Sequence, residues 1–182
     1  MSQVEDSVGN VVIKIAKFLS EAEPGELAEL RRMNDKFEAR MFWRLSAQYE
    51  RIAKQPEKWS VIVKMLALLT PTGSREAKES VHDGKRPLGA VLCDGGETGT
   101  VERPLLSENR LARLLVARDK IRLEALERAV RLLARNQVKL NTVELAWAVI
   151  APDKATARIA KAYYKRLDSI AKDKTKEEYN DE

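Results

Sequence analysis

The chain has 182 residues, 44% of them apolar and 34% charged, with a net charge of +5. That is apolar material for one good core or two small ones, and the scarcity of β-branched and aromatic runs suits a helical protein. A single cysteine, Cys93, excludes an internal disulfide framework, and the most apolar run, 61–69, is broken by Lys64 and falls far short of the ~20 residues of a membrane span.

The amino-terminal MSQVEDSVGN has no signal-peptide pattern, so the expected location is the cytoplasm, with no membrane partner. Val8, Val11, Val12, Ile15, Phe18 and Leu19 follow helical spacing and predict a first amphipathic helix, ended by Pro24-Gly25. Leu27, Leu30, Met33, Phe37, Met41, Leu45, Tyr49 and Ile52 continue in steps of three and four, with a break near Asn34-Asp35. Pro56 stands where a first helical position belongs, and Trp59, Ile62, Val63, Leu66 and Leu69 form the next stripe. Trp43, Trp59 and Trp147 all read as core residues.

Between residues 71 and 104 the periodicity fails. TPTGSREAKESVHDGKRP is polar and CDGGETGT is glycine-rich, which predicts a mobile connector, with LGAVL forming one short helix. Order returns at Ser107, an N-cap residue type, followed by Leu111, Leu114 and Leu115, then by Leu123, Leu126, Val130 and Leu133. Asn141-Thr142-Val143-Glu144 resembles a capping box with Glu144 reaching back to the cap. Pro152 breaks the chain, Asp153 is the next cap, and Ile159, Ala160, Tyr163, Leu167 and Ile170 make the last stripe. The expected architecture is all-α, with two helical lobes joined by a loop-rich connector. The lobes span 1–72 and 106–172, the connector 73–105, and residues 173–182 form a disordered tail.

Catalysis finds little support. His82 is the lone histidine and falls in the least patterned stretch, so any Ser-His or Cys-His pair depends on it. Cys93 lacks a companion cysteine for a zinc site and reads as a small buried thiol. CDGGETGT lacks the lysine of a P-loop and follows no strand, so it reads as a flexible loop. No catalytic residue, metal ligand or cofactor is expected.

Charge is concentrated instead. Residues 103–139 hold ten arginines and lysines against four acids, a local charge of +6 that leaves the rest of the chain at about −1. On a helical wheel of about 100° per residue, Leu123, Leu126, Val130 and Leu133 share one side. Arg128, Arg131 and Arg135 lie nearly opposite, with Arg118 and Arg122 on a flank. A solvated polar face would show the same spacing. Composition favours a phosphate partner, because this face reads as mostly unpaired arginine, whose planar fork suits phosphate, where an ordinary face mixes Glu with Lys in i, i+4 pairs. Between residues 60 and 146 there is no Phe, Trp or Tyr, so this segment has no base-stacking platform and would grip phosphates only.

GELAELRRM, FWRL, KRPLGAVL, ERPLLSENRLARLL and ATARIAKAYYKRL, in that order, resemble the CasB family, the small subunit of the type I-E CRISPR surveillance complex called Cascade. The resemblance runs from about Glu26 to Leu167. The family often has a tryptophan in its last helix, where this chain has Ile159-Ala160-Lys161 before Tyr163-Tyr164. The resemblance implies an all-α, non-catalytic protein present as two copies beside other Cascade subunits. Its basic surfaces would line the path of target DNA and steady the R-loop formed when guide RNA pairs with one strand. R-loop formation is a near-balanced exchange that modest backbone contacts can tip. By motif the candidate contacts are Arg32, Arg110, Arg128, Lys154 and Arg158, with Arg131 added from the stripe; Arg31 is expected to pair with Asp35 one turn on. The competing expectation is a structural helical adaptor whose arginines meet acidic protein surfaces without touching nucleic acid.

Overall fold

The computed structural model describes residues 7–34, 37–72, 79–97 and 101–180, with side chains described to residue 172. Among them it is all-α: ten helices and no strand, with one isolated bridge between His82 and Leu140. The predicted first helix is α1 (Val8–Glu21), capped by the Ser7 hydroxyl accepting from the Asn10 amide at 3.2 Å. The long stripe that follows divides into α2 (Pro24–Arg32), α3 (Arg40–Gln48) and α4 (Glu50–Lys54). Pro24 opens α2 and Pro56 opens α5 (Pro56–Leu69), where a missing amide costs nothing.

Helix α5 buries Trp59, Ile62, Val63, Met65, Leu66 and Leu69 and packs against α1, α2, α3 and α4 on one side of the sequence. It also meets α8 (Asp119–Arg135) and α9 (Thr142–Ile150), so one apolar cluster runs through both halves of the chain. Two side chains fasten its surroundings. Arg31 donates from Nε to the Ala67 carbonyl at 2.8 Å and from Nη2 to the Thr70 carbonyl, satisfying the open end of α5. That is where Arg31 goes; Asp35 lies outside the described residues. Lys58 donates to the Ile150 carbonyl at 3.1 Å, at the end of α9.

The tightest packing is between α6 (Leu88–Asp94), the short helix expected in LGAVL, and α10 (Pro152–Asn180). A Cβ on Gly89 would lie 2.1 Å from the Ile159 carbonyl oxygen and 2.8 Å from the Tyr163 amide nitrogen. Only a glycine permits that approach. Polar bonds lock the same seam. Asp94 is buried and accepts from Arg166 Nε at 2.8 Å, Arg86 Nη2 at 3.3 Å and the Gly96 amide at 2.9 Å. The Leu105 and Leu106 amides donate to the Cys93 and Leu92 carbonyls, at 2.8 and 3.0 Å. Tyr163 closes the circuit by donating to the Leu106 carbonyl at 2.6 Å.

Several local expectations change here. His82 sits in no loose segment: it is half-buried, its Nδ1 lies 2.8 Å from the Thr142 hydroxyl, and burial lowers its pKa. Nor is the start of CDGGETGT a flexible loop, since Gly95 ends α6 in the left-handed region and Gly96 packs on Val138. Residues 98–100 of that stretch lie outside the described residues. Asn141 does cap α9, accepting from the Val143 and Glu144 amides. Glu144 does not reach back, because the Asn141 amide is taken by the Arg86 carbonyl at 2.8 Å and the Glu144 carboxylate accepts the Leu88 amide at 2.8 Å. The break expected at Pro152 falls between α9 and α10, which Pro152 opens, but Asp153 lies inside the first turn of α10 and is not its cap. Cys93 is a fully buried thiol, pushed up to about 11 chiefly by burial.

Two substitutions test this seam. Gly89→Ala should destabilise the chain by about 3 kcal/mol, since backbone atoms and not a yielding side chain block the new methyl. Asp94→Ala should cost about 3 kcal/mol or more by stranding two guanidinium groups beside a buried site. Urea unfolding of the full chain measures both, and an unshifted midpoint for Gly89→Ala would refute the close approach.

Candidate nucleic-acid interface

The arginine stripe of Arg128, Arg131 and Arg135 lies on α8, and a separate helix carrying Arg110 precedes it. α7 (Glu108–Val116) ends at Ala117, and α8 begins at Asp119 after an extended Arg118. Ser107 precedes α7 as the cap residue, without a side-chain cap bond. On α7, Leu111 and Leu114 are buried; on α8, Leu126, Ala129, Val130 and Leu133 are buried, and the arginines divide according to what lies opposite them.

Arg122 belongs to the interior. It is 2% exposed, and its Nη atoms donate to the Leu114, Leu115 and Pro152 carbonyls at 3.2–3.4 Å. It therefore ties the end of α7 to the start of α10, leaving its buried Nε without a partner. A flank position on the wheel concealed this, because the carbonyls that hold Arg122 come from the end of α7 and the first residue of α10. Arg118 pairs with Asp153 at 3.6 Å.

The stripe is also more paired than its composition suggests. Arg128 meets Glu124 at 3.3 Å, and Arg131 meets Glu127 through Nη2 at 2.6 Å and Nε at 3.1 Å. These are ordinary i, i+4 pairs, and the expectation of a mostly unpaired face is corrected accordingly. Glu127 also takes Lys64 of α5 at 3.2 Å, so Arg131 is held by an acid that is itself bridged to the core helix. Burial works to raise the Glu127 pKa, but the hydrogen bonds and charges of Arg131 and Lys64 outweigh it and leave the carboxyl below its ordinary value.

Two basic clusters remain on the surface. Arg110 and Arg113 of α7 and Arg128 of α8 rim a groove of about 340 Å³ floored by Leu106, Leu114, Ala125, Ala129 and Leu132. Arg110 and Arg113 are exposed and make no ion pair among the described residues, and Arg128 keeps three-quarters of its side chain in solvent despite Glu124. Arg113 lies within ERPLLSENRLARLL and follows Arg110 by one helical turn, yet it is not among the candidate contacts drawn from the sequence. Lys154 and Arg158 line a second groove of about 300 Å³ with Glu144, Trp147, Ala155 and Ile159. Arg32 stands apart, exposed at the end of α2, with its Nε donating to the Ala28 carbonyl at 3.2 Å.

The tryptophans separate too. Trp59 is core at 2% exposure, whereas Trp147 is 37% and Trp43 53% exposed, against the expectation that all three are buried. Trp43 rests edge-on against Phe37 and Phe42. Among the described residues no group of three or more His, Cys, Asp or Glu side chains is arranged to hold a metal ion. No described helix is long and apolar enough to cross a membrane.

In comparisons with known proteins, the family described as CRISPR-associated protein Cse2 matches over residues 26–164. No curated protein and no solved structure matches the chain.

The Glu127 pair carries a pH signature. With its folded pKa depressed, Glu127 contributes stability above the ordinary carboxylate range and loses it as pH falls through the folded value. The chain should exceed Glu127→Gln in stability by about 0.5–1 kcal/mol at neutral pH, discounted for partial exposure. That margin should vanish in acid, as read by thermal unfolding across pH.

Proposed function

The chain belongs to the CRISPR-associated Cse2 family, the CasB small subunit of type I-E Cascade, and from that premise we propose that it holds target DNA by its phosphates and steadies the R-loop. Cascade supplies its neighbouring subunits, and guide RNA reads sequence, so this chain needs no base-reading helix. A second copy of the chain sits beside it in the complex, in the cytoplasm, and it performs no chemistry of its own.

The observation that carries this reading is the convergence of Arg110, Arg113 and Arg128 on one groove. Three guanidinium groups around a shallow trough give a strand two or three phosphate contacts without demanding a sequence. Arg131 contributes less, because Glu127, itself bridged to Lys64, already holds it in place. Lys154 and Arg158 extend the grip on α10, and Arg32 is the most isolated of the six.

The test is made in the assembled complex. Arg110→Glu with Arg128→Glu should weaken retention of target DNA while leaving assembly intact. For every phosphate that is no longer neutralised, the dependence of log affinity on log salt should become shallower by about 1. Arg131→Glu should do less than either. Unchanged DNA retention together with loss of a neighbouring subunit would favour an adaptor whose arginines meet acidic protein surfaces.

A further inference from the structure

The second groove contains an aromatic face, which the first lacks. Trp147 follows the aromatic-free stretch directly, at the outer side of α9, and is 37% exposed although Leu145, Ala146, Ala148 and Val149 around it are buried. Lys154 and Arg158, one turn apart on α10, line the same groove, and neither makes an ion pair among the described residues. Ala155 and Ile159 supply an apolar wall. The groove's one acid, Glu144, is committed to the Leu88 amide at 2.8 Å.

We propose that the α9–α10 groove seats an unpaired nucleobase, with the Trp147 indole as its stacking platform and Lys154 and Arg158 holding the flanking phosphates. Single-strand sites combine these two parts, a basic track and an aromatic face, and tolerate any sequence because every base has a π surface. A duplex keeps its base faces stacked on one another, so this groove selects single strands, whereas a phosphate-only grip accepts either form. The inference rests on the reading that this chain holds DNA, and adds to it the class of strand and the residue that selects it.

The probes are a non-complementary single-stranded oligodeoxynucleotide and an abasic strand of the same length, offered to the assembled complex carrying the original chain, Trp147→Leu or Trp147→Phe. With the original chain the intact strand should bind about ten-fold more tightly than the abasic one, the scale of one stacked base. Trp147→Leu should erase that difference, and Trp147→Phe should keep most of it. Equal binding of intact and abasic strands by the original complex overturns the proposal, and that comparison needs no variant to fold. A preference that survives Trp147→Leu overturns it as well. Failure of the Trp147→Leu chain, folded by circular dichroism, to enter the complex would instead make the groove a protein seat. If the original complex binds neither strand, the nucleic-acid reading fails, and the base seat with it.

Discussion

The contact on which the rest of this molecule depends is the approach of Gly89 to the Ile159 carbonyl. A short helix of seven residues has little stability of its own, and α6 persists because its backbone lies directly against α10. Closeness of that order removes water from the seam, so every polar group in it must find a protein partner. Asp94 is the result: a buried carboxylate that accepts from two arginines and a backbone amide, with no part of its charge left unanswered.

From this seam the chain's other half is positioned. Leu105 and Leu106 cap the carbonyl end of α6, which fixes where α7 begins. Arg86 sends its carbonyl to Asn141 and its side chain to Asp94 and Gly96, so the entry to α9 and the end of α6 are set by one residue. The motifs KRPLGAVL, ERPLL and AYYKRL, far apart in sequence, thus meet in one place. Their arginines at 86 and 166 are structural.

The basic side chains of this chain do three jobs that composition cannot separate. Arg31, Arg86, Arg122 and Arg166 are bonded into the fold. Arg128 and Arg131 are tethered by acids one turn earlier, with different amounts of solvent left to them. Arg110, Arg113, Lys154 and Arg158 are exposed around two grooves. A net count of positive charge weighs all of these equally. A phosphate meets only the exposed ones, and the tethered ones only by competing with their acids.

Helical class, most helix positions and the family were legible in the sequence, because apolar spacing at three and four residues is a local property and ordered motifs need no coordinates. Ser7, Pro24, Pro56 and Asn141 act at helix starts through groups within a few residues of them. What could not be read there was every role decided by a distant partner. Arg122 is interior because carbonyls at the end of α7 and at Pro152 take its guanidinium, Glu144 turns to Leu88 instead of its own cap, and His82 is anchored by Thr142. Trp147 has the same apolar neighbours in sequence as a core residue, yet it is 37% exposed and lines a groove with Lys154 and Arg158 of α10. The sequence by itself determined the helices and their apolar faces; tertiary packing decided which polar and aromatic side chains remain available, since exposure depends on what the rest of the chain places against each one.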